Sequence, residues 1–100
     1  MQQPCIYMMS NKSHTFYVGI TTDIRRRVVQ HKMKTYPNGF TARYHFDRLV
    51  WYEAAATRIA AAKREREIKG WTRARKVALI QQGNPNWLDL SVTFDDWLRF

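Results

Sequence analysis

Five residues of the sequence are of types that phosphodiester chemistry uses, and their spacing is regular. Tyr7 and Tyr17 stand ten positions apart, Arg27 follows after ten more, His31 comes one helical turn later, and Glu65 lies far downstream. A phenol or an imidazole can take a proton from water. A guanidinium can grip two phosphate oxygens side by side, and a carboxylate can hold a hard cation. Brought together, these groups could form one metal-dependent site that cleaves phosphodiesters. Each has a plainer reading when taken alone. A strand tyrosine is usually core, Arg27 could pair with Glu53 or Glu65, and Glu65 could pair with Lys69 one turn on. The joint spacing gives the chemical reading its weight.

The elements that must position these residues are legible in the pattern. Residues 4–9, PCIYMM, are a short apolar run ended by turn formers at 10–13, and residues 15–20, TFYVGI, are β-branched and aromatic. They predict an antiparallel hairpin. Alternation puts Ile6 and Met8 on one face and Cys5, Tyr7 and Met9 on the other. Tyr17 and Gly19 share a face, and the register allows Tyr7 and Tyr17 to emerge together. Gly19 inside a strand marks a bulge or a close approach by another group.

Thr22 or Asp23 can cap a helix running to about Lys34. Its stripe of Ile24 and Val28, with Val29 to one side, carries Arg27 and His31 inward and turns Arg25 and Arg26 elsewhere. A basic side chain on a packed face needs a partner or a cleft, which singles out Arg27. Residues 35–46 read as an irregular loop around Pro37-Asn38-Gly39. In it Arg43, between aromatics, reads equally as a nucleic-acid contact or as part of a loop pinned to the core. Leu49–Glu53 is the third strand, and Ala54–Lys69 an alanine-rich helix on which Ala61, Glu65 and Ile68 form one stripe. Gly70 ends it as a C′ residue. Thr72 caps a third helix, Arg73–Gln82, packed through Trp71, Ala74, Val77, Ala78 and Ile80. Gly83 and Asn84-Pro85 stop it. In the tail, Trp87, Leu88, Leu90, Phe94, Trp97 and Leu98 are expected in the core or in a packed terminal segment.

Composition bounds the rest. One hundred residues, 45% hydrophobic and 25% charged, make one globular domain over 1–100 with a single modest core. No apolar run approaches the roughly 20 residues of a membrane helix, and no signal peptide is visible. The lone Cys5 excludes an intrachain disulfide and a cysteine-rich metal site, and fits a cytoplasmic protein. Seventeen Lys and Arg against eight Asp and Glu give a formal +9 and a pI near 10.2. That excess points to a polyanionic partner, nucleic acid ahead of a membrane.

Taken together, Cys5-Ile-Tyr, Tyr17-Val-Gly-Ile-Thr-Thr-Asp, Phe40-Thr-Ala-Arg-Tyr, Leu49-Val-Trp-Tyr-Glu, Arg64-Glu-Arg-Glu-Ile-Lys-Gly-Trp and Asn84-Pro-Asn-Trp-Leu-Asp-Leu resemble the GIY-YIG nuclease superfamily, in particular its small single-domain bacterial branch. The match spans roughly 4–91 and leaves 92–100 as a tail. The resemblance implies an α/β (α+β) fold, a three-stranded antiparallel sheet flanked by three or more helices. It also implies a divalent-metal endonuclease acting on DNA, structured or damaged DNA included, ahead of RNA. Tyr7 and Tyr17 correspond to the signature tyrosines, Arg27 to the arginine facing the scissile phosphate, and His31 to the histidine or tyrosine one turn on. Glu65 corresponds to the metal-binding glutamate, for one Mg²⁺ or Mn²⁺. Gly19 and the late Asn84 are further candidates. Cys5 departs from the usual first glycine and is taken as a small hydrophobe.

On that reading either tyrosine could deprotonate the attacking water, Tyr17 ahead of Tyr7, with His31 sharing the task or orienting a tyrosine. A phenol needs its pKa lowered to do so. Arg25, Arg26, Lys32, Arg43, Lys63, Lys69, Arg73 and Lys76 are candidate nucleic-acid contacts. His14 and His45 have no supporting pattern. The competing reading is a non-catalytic nucleic-acid-binding module with the same fold, and a third is a protein-interaction module using the aromatic tail. A partner protein could supply specificity to so small a domain.

Overall fold

A computed structural model describes residues 3–33 and 45–94. The order of elements is β1 (Cys5–Ser10), β2 (Phe16–Thr21), α1 (Ile24–Lys32), β3 (Arg48–Ala54), α2 (Arg58–Lys69), α3 (Arg73–Gly83) and a short 3₁₀ helix (Leu90–Thr93). The strands form one antiparallel sheet in the order β2-β1-β3. This is the α+β architecture expected from the sequence. Among these residues no helix is long and apolar enough to cross a membrane.

The hairpin closes through Asn11, whose side-chain oxygen accepts from the Ser13 and Thr15 amides at 3.0 and 3.1 Å. Its register sets Tyr7 opposite Gly19 and Met9 opposite Tyr17. β1 is central and entirely buried, so its alternation divides the core into two layers. Ile6, Met8, Val18 and Val50 pack with Ala61 and Ile68 of α2, Ile80 of α3 and Trp87. Tyr7, Met9 and Leu49 pack with Val28 of α1, Phe46 and Phe94. Each fully buried Ile, Leu or Met contributes about 1.5–3 kcal/mol.

Each helix is capped by a residue in its natural position. Asp23 accepts from the Arg26 amide at 3.2 Å, Thr57 from Ala60 at 3.0 Å and Thr72 from Arg75 at 3.2 Å. Such caps contribute about 1 kcal/mol each. Thr57 also corrects the expectation that α2 begins at Ala54. Ala54 pairs with Cys5 in the sheet and the Ala55 amide bonds to Pro4 O at 2.8 Å, so strand pairing overrides alanine's helical preference. Gly70 ends α2 with φ −80, in the right-handed region and not the left-handed one expected. On α3 only Ile80 is fully buried; Val77 and Leu79 pack partly, while Ala74 and Ala78 are exposed. Leu88 is 63% exposed because its backbone, not its side chain, is what the fold uses. Of the expected loop at 35–46, residues 35–44, Arg43 included, lie outside the described residues, as do Trp97 and Leu98.

Candidate active site

Tyr7, Tyr17 and His31 meet on the α1 face of the sheet. Their ring centroids are 6.2 Å apart for the tyrosines, 5.7 Å for Tyr7–His31 and 5.6 Å for Tyr17–His31. The hydroxyl of Tyr7 and Nε2 of His31 share a hydrogen bond of 3.0 Å. Tyr7 is 0% exposed and His31 2%, whereas Tyr17 is half-buried at the rim. Burial, with the Arg27 guanidinium beside it, holds the His31 imidazolium pKa down to about 4. His31 is therefore neutral at pH 7 and able to share the Tyr7 proton.

Gly19 makes this cluster possible. A Cβ on it would stand 2.7 Å from Tyr7 Oη and 2.8 Å from Tyr17 Cε1, so only glycine lets both rings lie over the strand.

Arg27 is half-buried, with Nη1 3.4 Å from Ile20 O at the end of β2. It lines a polar hollow with Thr21, Thr22, Asp23, Arg26 and Gln30. Of the arginine triplet, Arg26 is exposed and shares that hollow, while Arg25 lines an apolar groove with Val28, Val29, Ser91, Val92 and Phe94.

Glu65 does not join the aromatic cluster, because α2 covers the opposite face of the sheet. Its carboxylate is 21% exposed and pairs with Lys69 Nζ at 3.3 Å, the plainer pairing available to it from the sequence. Its orientation still matters. Arg64, one position earlier and about 100° around the helix, reaches across to Glu53 of β3 at 3.4 Å. Glu65 is on the other flank of the buried Ala61–Ile68 stripe, away from the Arg64–Glu53 contact with β3. Tyr17 thus packs in one layer of the sheet, and Glu65 is on the helix that covers the other.

Among the described residues no group of three or more His, Cys, Asp or Glu gathers to hold a metal. A lone half-buried carboxylate suits a hard cation such as Mg²⁺, which keeps several waters and needs only one or two protein oxygens. Binding there would have to displace the Lys69 ammonium.

The remaining expected residues are placed as follows. Lys32 is tied to Asp89 at 2.6 Å. Arg73 donates to His14 O at 2.9 Å and lies 5.0 Å over the Phe16 ring. Lys63 and Lys69 are exposed, and Lys76 half-buried. Asn84 is buried and works structurally. Its amide donates to Val50 O (3.1 Å) and Leu88 O (2.9 Å) and accepts from the Leu88 amide (2.9 Å), pinning the end of α3 to β3. Cys5 is buried with its thiol pKa pushed up by burial, so it behaves as a small hydrophobe. The sequence reading passed over Arg75, whose guanidinium lies 4.1 Å from the Trp71 ring centroid. The four-residue spacing of Trp71 and Arg75 was the available signal.

A tyrosine pair and a histidine packed over a glycine, on a β-β-α unit of a three-stranded sheet, with an arginine near the histidine, are the site of an α+β domain whose class the family match supplies as nuclease-type. The chain belongs to the GIY-YIG family: the model of the GIY-YIG catalytic domain matches residues 3–78. It is similar to a UPF0213 protein of Haloquadratum walsbyi, 38% identical over 82 residues, covering 78% of this chain and 86% of that one. A UPF0213 protein of Staphylococcus saprophyticus is 36% identical over 87 residues, covering 83% and 100%. Among solved structures, the solution structure of a UPF0213 protein from Bacillus halodurans matches with a TM-score of 0.54 and 28% identity, covering 87% of this chain and 90% of that one.

Proposed function

We propose that the protein is a divalent-metal-dependent endonuclease that hydrolyses phosphodiester bonds in DNA, with Tyr7, Tyr17, Arg27, His31 and Glu65 as its working residues. The observation that carries this reading is the Tyr7–His31–Tyr17 cluster over Gly19, with Arg27 near enough to lower the His31 pKa, in a chain of the GIY-YIG family.

The division of labour follows from burial. Tyr17 is the half-buried tyrosine, so its hydroxyl is the one that meets the attacking water. Tyr7, fully buried and bonded to His31, is a positioning residue that fixes the histidine beside Tyr17. His31, neutral at pH 7 with its pKa held down to about 4, is too weak a base to take the proton and instead orients the tyrosines. Arg27 binds a non-bridging phosphate oxygen and stabilises the charge that grows on it. To take a proton from the attacking water, Tyr17 must act in its phenolate form. Glu65 would hold Mg²⁺ or Mn²⁺; such an ion, when bound, supplies charge stabilisation at the phosphate and the leaving oxygen.

The test is nicking of supercoiled plasmid and of flapped, branched and plain duplexes, with Mg²⁺, with Mn²⁺ and with EDTA. The reading expects cleavage with either metal, none with EDTA, and a loss of at least about 100-fold in Glu65→Gln. Wild-type protein that binds these DNAs and cuts none of them would return the reading to a non-catalytic binding module.

A further inference from the structure

The chain's positive charge is not spread evenly. Residues 58–76 hold eight Lys and Arg against two Glu, a net +6 of the whole chain's +9. This segment is α2, the elbow at Gly70–Thr72 and the start of α3. Neither helix has an acidic residue in its first turn, so at the elbow the amide dipole at the N-terminus of α3 adds to the positive field, against the opposing dipole at the C-terminus of α2.

The arginines at the elbow are held in an unusual way. Two guanidinium groups share the indole of Trp71, Arg64 at 5.3 Å and Arg75 at 4.1 Å from the ring centroid. Arg73 lies 5.0 Å over the ring of Phe16. Arg64 is also paired with Glu67 at 2.7 Å and Glu53 at 3.4 Å, which fixes its place in the stack. Among the described residues no carboxylate pairs with Arg73 or Arg75. A guanidinium held by its flat face is oriented without spending the N–H donors along its edges. Ring stacking therefore delivers Arg75 as a fixed fork of donors with an uncompensated charge, the form in which arginine binds phosphate oxygens two at a time, while Arg73 spends one donor on His14 O and keeps the rest of its fork.

We infer that the α2–α3 elbow, centred on Arg75 over Trp71 and extended by Arg73, is a second nucleic-acid surface that grips the phosphodiester backbone of a duplex away from the bond being cut. It lies on the α2–α3 side of the sheet, opposite the aromatic cluster, and it binds DNA whether or not cleavage occurs. The inference rests on the nucleic-acid part of the proposed function and is independent of its catalytic part. Duplex backbone is the occupant because the surface offers forked donors and uncompensated charge, the features that the phosphate oxygens of a duplex bind.

The experiment measures binding of a fluorescent 20-base-pair duplex by anisotropy in EDTA, across a salt series. It compares wild type with Arg75→Ala, Arg73→Ala and, as a control of equal charge loss, Arg58→Ala at the far end of α2, about 18 Å along the helix from Gly70. Thermal unfolding of each variant verifies the fold. Arg75→Ala is expected to weaken binding about 5- to 10-fold at moderate salt. It should also lower the slope of log affinity against log salt by about 0.9, the value for one lost phosphate contact. Arg73→Ala moves the same way, and Arg58→Ala stays within twofold of wild type with its slope unchanged. Equal losses in Arg75→Ala and Arg58→Ala would overturn the inference, since net charge alone would then explain binding. So would undiminished binding by Arg75→Ala, although the nuclease reading would survive either result. The expected binding losses in a protein that cuts no DNA would leave the elbow established and remove only the catalytic reading. Polyglutamate displacing the duplex as effectively as unlabelled duplex of equal charge would mark the surface as one for acidic protein, and would also overturn it.

Discussion

The hydroxyl of Tyr7 and Nε2 of His31 meet at 3.0 Å inside the protein, with both side chains almost wholly withdrawn from water. A buried phenol and a buried imidazole each need a partner, and here each is the other's. The bond ties the central strand to α1 and sets His31 against Tyr17. Replacing Tyr7 by Phe strips one side of the bond while keeping the ring, and should cost about 1–2 kcal/mol of stability, read as a shifted urea midpoint. A midpoint equal to wild type would mean that the bond does not hold these elements together.

The same pair fixes a pH dependence. The native pKa of His31, about 4, lies below its ordinary 6.5, so between these values the unfolded chain binds a proton that the native chain refuses. Stability from this residue is complete above pH 6.5 and is lost as the pH falls toward 4, by about 3 kcal/mol over the window. Urea unfolding at pH 7 and pH 4.5 should show the decline, and His31→Gln should flatten it. An equally steep decline in His31→Gln would place its origin elsewhere.

Gly19→Ala puts a methyl 2.7 Å from Tyr7 Oη, so the rings must shift or the strand must bend. Destabilisation of about 1–3 kcal/mol is expected. Plasmid nicking should suffer along with stability, because the displaced rings are those of the site. Unaltered melting and unaltered nicking would show that the rings have room to spare.

Asp89 ties the 3₁₀ segment to the rest of the fold. Burial would raise its carboxyl, but hydrogen bonds from Lys32, from the Ser91 hydroxyl and amide, and from the Leu49 amide outweigh it and hold the pKa below the ordinary value. The shortest of these, to Lys32 and to Ser91 Oγ, are both 2.6 Å. Asp89→Ala leaves the Leu49 amide and Lys32 without this acceptor and should cost about 2–3 kcal/mol. Because the native pKa is depressed, the stabilisation is present above the ordinary carboxylate pKa and is lost as the pH drops below it. Denaturation of wild type and variant at pH 7 and pH 3 checks both statements: the gap between them should narrow in acid.

What was legible in the sequence was local. Alternation along residues 5–9 put Tyr7 on one face and Ile6 and Met8 on the other, and the two core layers follow that division. Helical periodicity put His31 inward, where it is buried, but it did not part the arginines cleanly: Arg25 is as half-buried as Arg27, and Arg26 lines the same hollow. The arrangements that escaped depend on contacts distant in sequence. Lys32 was expected to face nucleic acid and is engaged by Asp89, 57 positions away. His14 had no pattern to mark it, yet its ring stacks on Trp87 at 4.2 Å, with both residues in the left-handed region at φ 59 and 54. Asn84 was a candidate by family position, and every hydrogen bond described for it is to backbone. Glu65 was correctly set on a stripe with Ala61 and Ile68, but periodicity within one helix could not say which face of the sheet that helix covers.

The central claim is that Arg27 faces a phosphate undergoing hydrolysis, and the most direct measurement is single-turnover cleavage of a DNA substrate by wild type, Arg27→Lys and Arg27→Ala at saturating Mg²⁺. The account predicts a fall of at least about 100-fold in Arg27→Ala, with partial recovery in Arg27→Lys, which restores charge but not the fork. DNA affinity should fall by no more than the roughly 10-fold of one lost phosphate contact, and thermal stability should stay near wild type. Cleavage by Arg27→Ala at the wild-type rate would contradict the account.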